Sequence, residues 1–254
     1  MSVKTNFLKE MSWKTFKERK ESTDLVIIPS GAFEVYGPHL PLGSDTLVSV
    51  KIAELVAERV NAIISPTLEV GDSAMLDIFP GTITIKPESF KAYLIDIVIS
   101  LKKWGFKDFL FINTHLGNVP IIGSVAHDLQ RNADIRCAQI DYWRFIKSLD
   151  KGIIETGDLA HAHASEAGTS VLLHLYPHLV DMEKAINEPP KYSSQFSDFI
   201  QYTNYDEHTT SGTIGNAIVG TEEKGKALVE RSVDRIVQFL QQNWEIREKA
   251  SIGR

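Results

Sequence analysis

Acidic and imidazole side chains are concentrated in three segments of this 254-residue sequence, at residues 29–46, 113–118 and 161–166. Carboxylates and imidazoles together are common ligands of divalent cations such as Zn²⁺. Imidazole is also the side chain most often used in general acid–base catalysis. The candidate residues are Glu34, Tyr36, His39, Asp45, His115, His161, His163 and Glu166. If these side chains meet in space, they predict a hydrolytic metal site.

Each candidate also has a simpler interpretation when it is taken singly. Asp45 precedes an apolar helical pattern and could cap that helix. Glu34 could be a solvated loop acid, because most carboxylates are exposed. His115 could be a hydrogen-bonded structural residue, and His161 and His163 could be ordinary loop residues. Convergence in space is what separates the two interpretations.

Short apolar runs alternate with helical patterns along the chain, which is typical of an α/β fold with a mostly parallel sheet. The predicted strands cover residues 25–28, 62–64, 109–112 and 135–140. The predicted helices cover residues 47–60, 90–104, 165–175 and 221–240. Ligands of such sheets bind beyond the carboxyl ends of the strands. We therefore expect the three polar segments to converge at that edge.

The rest of the chain shows neither a linker nor an internal repeat, so we expect a single domain over residues 1–254. Two long segments, 67–81 and 188–212, fit no regular element. Loops of this length are usually functional lids or subunit contacts.

Composition excludes several classes of protein. The formal net charge is −6, with no basic block, which argues against nucleic-acid and anionic-membrane partners. One cysteine cannot form an intrachain disulfide. The longest apolar stretch, residues 93–101, is too short to span a bilayer, and the charged N-terminus does not resemble a signal peptide. We therefore expect a cytoplasmic protein. The G-x-G-x-x-G, P-loop and G-x-S-x-G patterns are absent.

Four ordered motifs resemble the creatininase family of metal-dependent amidohydrolases. They are PSGAFEVYGPHLPLGSD at 29–45, FPGT at 79–82, NTHLGN at 113–118 and HASEAGTS at 163–170. The similarity extends from about residue 25 to residue 183. It implies a three-layer α/β/α fold with a mostly parallel central sheet, and an assembly into hexamers.

The resemblance also implies a metal centre at the sheet edge. Family members hold two divalent metals, and the ligands of one site are intact here as Glu34, Asp45 and His115. This mixed set of oxygen and nitrogen ligands suits Zn²⁺, and Mn or Fe are alternatives.

The second metal site has lost its usual ligands. Tyr36 stands where the family has a histidine, and Gly117 and Gly168 stand at the two usual carboxylate positions. A second dication would be poorly balanced by the remaining charges. We therefore predict one tight metal per chain. The residues that could rescue a second site are His39, His161, Glu166 and a Tyr36 phenolate.

The predicted activity is hydrolysis of a carbon–nitrogen amide bond in a small molecule. The resemblance makes His163 the proton donor and Glu166 its orienting partner. Tyr36 could donate to the developing oxyanion or merely fill the vacant metal pocket. The sequence leaves open whether His161 or His163 faces the site. Two alternatives remain: a catalytically silent member that binds a metal and a small ligand, and a structural unit that serves assembly.

Overall fold

The central sheet of the computed structural model, which describes residues 5–192, 199 and 203–247, has four parallel strands in the order β2-β1-β3-β4. The strands are β1 (Leu25–Ser30), β2 (Ile63–Ile64), β3 (Asp108–Asn113) and β4 (Arg136–Asp141). Ser30 pairs with Asn113, which pairs with Asp141. Three strands therefore end at the same edge, as the sequence predicts. A separate antiparallel ribbon consists of β5 (Asn187–Glu188) and β6 (Gly215–Asn216).

Helices flank this sheet on both faces. They are α1 (Trp13–Lys20), α2 (Ser44–Arg59), α3 (Pro87–Lys103), α4 (Val119–Ala133), α5 (Tyr142–Lys147), α6 (Glu166–Leu175) and α7 (Glu222–Trp244). The side chains of β1 alternate between two hydrophobic cores, because successive residues of a strand point to opposite faces. Leu25 and Ile27 pack in the core of α2, α6 and α7, and Val26 and Ile28 pack in the core of α3 and α4. The predicted three-layer α/β/α fold is confirmed.

The strands form where the apolar runs are unbroken. Every residue of β1 and β3 is buried, and a sheet covered on both faces requires such continuous apolar sequence. By contrast, β4 is half-exposed and pairs, among the described residues, with β3 alone.

Three helices, α1, α4 and α5, were missed by the sequence analysis. The buried residues Ile122, Val125 and Leu129 of α4 repeat at helical spacing, and Pro120 lies in its first turn, so a signal was present. The short helix α1 has no buried residue, which explains its weak pattern.

The two irregular segments stay largely irregular. Residues 67–81 contain one 3₁₀ turn, Ala74–Leu76. Of residues 188–212, positions 193–198 and 200–202 lie outside the described residues. No described helix is both long and apolar enough to cross a membrane.

Candidate metal centre and its cavity

The three predicted metal ligands meet at the carboxyl edge of the sheet. One ligand atom from each of Glu34, Asp45 and His115 lies within 4.8 Å of the others, and all three residues are buried. The Nδ1 atom of His115 is 3.2 Å from Glu34 Oε2 and 3.4 Å from Asp45 Oδ2. Ligands placed about 2.1 Å from one ion are separated by about 3.0 Å in octahedral and about 3.4 Å in tetrahedral geometry. The observed spacing therefore fits a single divalent ion.

His115 is aimed at the carboxylates by its own hydrogen bond. It lies two residues beyond β3, and its Nε2 is 2.7 Å from the carbonyl oxygen of Asp72. Because a carbonyl can only accept, Nε2 carries the hydrogen in the neutral ring. The Nδ1 lone pair then faces Glu34 and Asp45, which is the tautomer a metal ligand needs.

Each carboxylate is held by a second partner as well. Ser73 donates its hydroxyl to Glu34 Oε2 at 2.6 Å, and Trp143 donates its indole N–H to Asp45 Oδ1 at 3.0 Å. Asp45 lies in the first turn of α2, but the N-cap position is Gly43 and no side chain caps the helix. The structure therefore does not support a capping role for Asp45, nor a solvated position for Glu34, which is 2% exposed.

The pKa values of His115, Asp45 and Glu34 are shifted by burial and by their mutual contacts. Burial lowers the pKa of His115, but its hydrogen bonds to Asp45 and Glu34 and their charges outweigh this, so the pKa lies well above the usual value. Burial and the charge of Glu34 raise the pKa of Asp45. Burial acts to raise the pKa of Glu34 also, but His115 turns the net shift downward. A positive charge is therefore favoured among these three groups.

A cavity of about 480 Å³ opens beside the three ligands. Its apolar wall includes Met75, Leu76, Leu116, Trp143 and Ile214. Its polar wall includes the three ligands together with Tyr36, Asp72, Thr114, His161, His163 and Tyr205. The volume is that of a site for a small molecule.

Tyr36 and His163 lie side by side in this cavity. Their ring centroids are 4.5 Å apart, and His163 Nε2 is 2.7 Å from the carbonyl oxygen of Val35. Burial and the charges of Asp45 and Glu34 raise the pKa of Tyr36 well above its usual value. The raised pKa favours Tyr36 as a neutral phenol, which can donate a hydrogen bond.

The lost carboxylate positions are closed by packing. A Cβ atom on Gly117 would lie 2.1 Å from the carbonyl oxygen of Asp72 and 2.7 Å from His115 Nε2. A Cβ atom on Gly168 would lie 3.3 Å from the hydroxyl of Tyr36. Gly117 therefore accommodates the close approach of the Asp72 backbone, and Gly168 makes room for the tyrosine.

Two predicted site residues point elsewhere. Glu166 is fully buried and accepts hydrogen bonds from Lys224 Nζ at 2.7 Å and from the backbone N–H groups of residues 155 and 156. It is not among the residues that line the cavity. The carboxylate of Glu166 therefore joins α6 to α7, and its orienting role beside His163 stays a prediction. His39 is hydrogen-bonded through Nε2 to Thr169 at 2.8 Å and is likewise absent from the cavity wall.

Both histidines that the sequence left open line the cavity. His163 contacts Tyr36 and also Tyr205, whose ring centroid is 5.2 Å away. His161 lies in the same wall, and its Nε2 is 2.7 Å from Asp150 Oδ2. Both His161 and His163 therefore face the cavity.

Sequence reasoning assigned no individual role to four residues of the site. Trp143 follows β4 by two residues, so the rule on strand ends could have found it. Asp72 and Ser73 lie in the irregular segment 67–81, and Tyr205 lies in the segment 188–212. The length of those loops was the available signal, but nothing local shows which of their residues turns inward.

Comparison with known proteins identifies the family of this chain. The creatininase family profile, described as creatinine amidohydrolase, matches residues 9–240. The chain is 27% identical to the creatinine amidohydrolase of Pseudomonas putida over 262 residues, covering 95% of this chain and 98% of that protein. It is 26% identical to the 3-dehydro-scyllo-inosose hydrolase of Thermotoga maritima, covering 98% and 86%.

Solved structures give the same result. A manganese form of creatininase superposes with a TM-score of 0.83 at 25% identity, covering 94% of this chain and 98% of that one. A variant creatininase of the Zn-Zn type gives the same score and coverage at 26% identity. Because the family profile spans nearly the whole chain and the fold agrees, this protein belongs to the creatininase family and is one of its hydrolytic enzymes.

Proposed function

We propose that this protein hydrolyses a carbon–nitrogen bond, in an amide, cyclic amide or formamide, in a small molecule and with one divalent metal. The observation that carries the proposal is the convergence of Glu34, Asp45 and His115 on a cavity of about 480 Å³. The curated Pseudomonas putida relative is a creatinine amidohydrolase, which supports this class of bond.

One ion per chain is the stoichiometry that the charges favour. Two carboxylates neutralise one dication, whereas a second dication would lack both a protein charge and a ligand at the positions of Tyr36, Gly117 and Gly168. We propose zinc as the first choice, because two oxygens and one imidazole nitrogen leave an open fourth position, with manganese or iron as substitutes. The relatives of known structure include manganese and Zn-Zn forms.

Glu34, Asp45 and His115 would hold a divalent ion, which would supply an activated water and polarise the substrate carbonyl. The chain's own residues perform the other tasks. His163 donates a proton to the leaving nitrogen, and Tyr36 donates a hydrogen bond to the oxygen on which negative charge develops. Ser73 and Trp143 keep the carboxylates in place through the hydrogen bonds described above.

The cavity wall selects for charge. Among the described lining residues there is no lysine or arginine, whereas three carboxylates, from Glu34, Asp45 and Asp72, are present. The charge of the proposed metal is balanced by Glu34 and Asp45, so an anionic substrate would find no further cationic partner there, and we propose a neutral or cationic one. We also propose a cytoplasmic homo-oligomer, hexameric by family resemblance, with no nucleic-acid or membrane partner.

The test combines elemental analysis with a hydrolysis screen. We expect about one metal per chain in the gently purified protein and turnover of at least one lactam, formamide or ureide. Glu34→Gln should abolish turnover and metal binding, and Glu58→Gln, an exposed residue of α2, is the matched control. About two metals per chain would overturn the single-ion proposal.

A catalytically silent ligand-binding member is the alternative, and the replaced second-site residues favour it. Equal inertness of the parent and of Glu34→Gln across the screen, with metal still bound by the parent, would establish that alternative.

A further inference from the structure

The Asp150–His161 pair has no function in the mechanism described so far. His161 lines the cavity, its side chain is only 6% exposed, and its Nε2 is 2.7 Å from Asp150 Oδ2. Its other ring nitrogen, Nδ1, is buried without a hydrogen-bond partner in the described structure. A residue of a cavity wall that keeps a buried polar atom without a partner is a candidate contact for the ligand or for a reacting water.

The segment that carries Asp150 is held by side-chain hydrogen bonds to its backbone. Arg231 donates to the carbonyl oxygens of Leu149 and Lys151, the residues that flank Asp150. Five residues further on, the carboxylate of Glu166 holds the backbone of residues 155 and 156. Asp150 is therefore fixed by contacts outside the cavity, and it can fix the ring of His161 in turn.

The carboxylate determines the tautomer of that ring. An ionised carboxylate can only accept, so Nε2 of His161 carries the hydrogen and Nδ1 keeps its lone pair in the neutral state. The same carboxylate balances the positive charge that forms when Nδ1 takes up a proton. His163 differs, because its Nε2 contacts the neutral carbonyl oxygen of Val35.

Hydrolysis of an amide needs a proton acceptor as well as a donor. In the proposed reaction Glu34 and Asp45 both bind the metal, so neither carboxylate is free to accept the proton of the attacking water. His163 already serves the leaving nitrogen. Two bases remain in the described cavity wall, Asp72 and His161, and His161 is the one whose partner, Asp150, balances the charge it gains.

We propose that His161 is the general base of this enzyme and that Asp150 is its positioning residue, an inference that rests on the proposed function. An O–H bond of the attacking water breaks and its proton passes to His161 Nδ1, while the water oxygen bonds to the carbonyl carbon. The carbon–nitrogen bond then breaks, and His163 gives a proton to the departing nitrogen. Return of one proton from His161 to His163 restores the starting state, so the reaction consumes only water.

The kinetic test uses a substrate that the parent hydrolyses and Glu34→Gln does not. His161→Ala should lose about 100-fold or more in kcat, as expected for removal of a general base. Added imidazole, which fits the vacated space, should restore part of that rate. Asp150→Asn should also lower kcat, with the metal content of both variants at the parent value. His127→Gln and Asp158→Asn, both exposed, are the matched controls.

A second measurement does not depend on turnover. Nitrogen-15 NMR of the histidine rings should show Nε2 of His161 protonated in the parent, and Asp150→Asn should change that tautomer. Parent-like kcat in His161→Ala, or a loss of metal from it, would overturn the inference and leave the proposed function standing. A loss of rate that imidazole does not restore would also overturn it. Absence of turnover in the parent would instead overturn the proposed function together with this role.

Discussion

Trp143 is a hydrogen-bond partner of Asp45, one of the three predicted metal ligands. Its indole N–H bonds one carboxylate oxygen, Oδ1, while the other, Oδ2, faces His115. Partners of this kind orient metal ligands, and their loss typically costs about 10- to 100-fold in metal affinity. Metal affinity at this site is therefore expected to depend on how Trp143 orients the Asp45 carboxylate as well as on which residues are the ligands.

Replacement of this partner gives a prediction at the residue scale. Trp143→Phe leaves Asp45 Oδ1 buried without a donor, so we expect zinc affinity to fall about 10- to 100-fold. Competition with a chromophoric chelator measures the change. Trp13→Phe is the control, because Trp13 is 72% exposed, and its affinity should equal that of the parent. Unchanged affinity in Trp143→Phe would refute the orienting role.

At the scale of elements, the loop that follows β3 is packed against the irregular segment 67–81. Gly117 and the Asp72 backbone approach so closely that no side chain fits between them. The same approach brings the Asp72 carbonyl to His115 Nε2. Loss of a carboxylate at position 117 and the orientation of His115 are thus two consequences of one contact.

The second prediction tests that contact. Gly117→Ala forces its Cβ against Asp72 and should destabilise the fold by about 1–3 kcal/mol, as overpacking does. It should also weaken metal binding, because the Asp72 carbonyl moves away from His115. Urea unfolding and metal titration measure both effects. Gly123→Ala within α4, which has ample space, should stabilise slightly instead. Equal behaviour of the two variants would contradict this account.

The third prediction concerns the pair that joins α6 to α7. Glu166 is fully buried and Lys224 is nearly so, and removal of one partner from a buried pair costs about 3–5 kcal/mol. We expect Glu166→Gln to lower the urea midpoint strongly while the folded fraction keeps its metal. Glu155→Gln, which removes a largely exposed partner of the same lysine, should change little. Loss of metal from folded Glu166→Gln would instead support Glu166 as a substitute metal ligand, the alternative that the sequence left open.

At the scale of the whole molecule, His39 connects the loop after β1 to the helix layer. Its Nε2 bonds Thr169 of α6, and burial lowers the pKa of His39 to about 4. In the unfolded chain His39 takes up a proton at about pH 6.5, a higher pH than in the folded chain. The contribution of neutral His39 to the free energy of unfolding is therefore complete above about pH 6.5 and is lost as the pH falls toward 4.

This gives the fourth prediction. In metal-free protein, the fall in the free energy of unfolding between pH 7 and pH 4.5 should be smaller in His39→Gln than in the parent. The exposed His178→Gln should fall as the parent does. Urea unfolding at the two pH values measures the difference. Identical acid losses in all three proteins would show that His39 does not carry this dependence.

The assignment of residues 1–254 to a single domain and the hexameric assembly stay predictions. Light scattering of the metal-loaded protein measures the assembly.

The half-exposed strand β4 forms one wall of a second cavity of about 530 Å³, together with α5 and α7.

Local sequence determined the strands and brought the predicted metal ligands to one edge of the sheet. Apolar runs identify buried strands by themselves, and parallel strands end at a common edge, so the three polar segments could be predicted to converge there. The resemblance to the creatininase family selected Glu34, Asp45 and His115 among their residues. Contacts between distant residues determined the rest: the Asp72 carbonyl on His115, Lys224 on Glu166, and Asp150 on His161. The direction in which a polar side chain turns depends on the partner that satisfies it once it is buried. That partner is known only when the chain is folded.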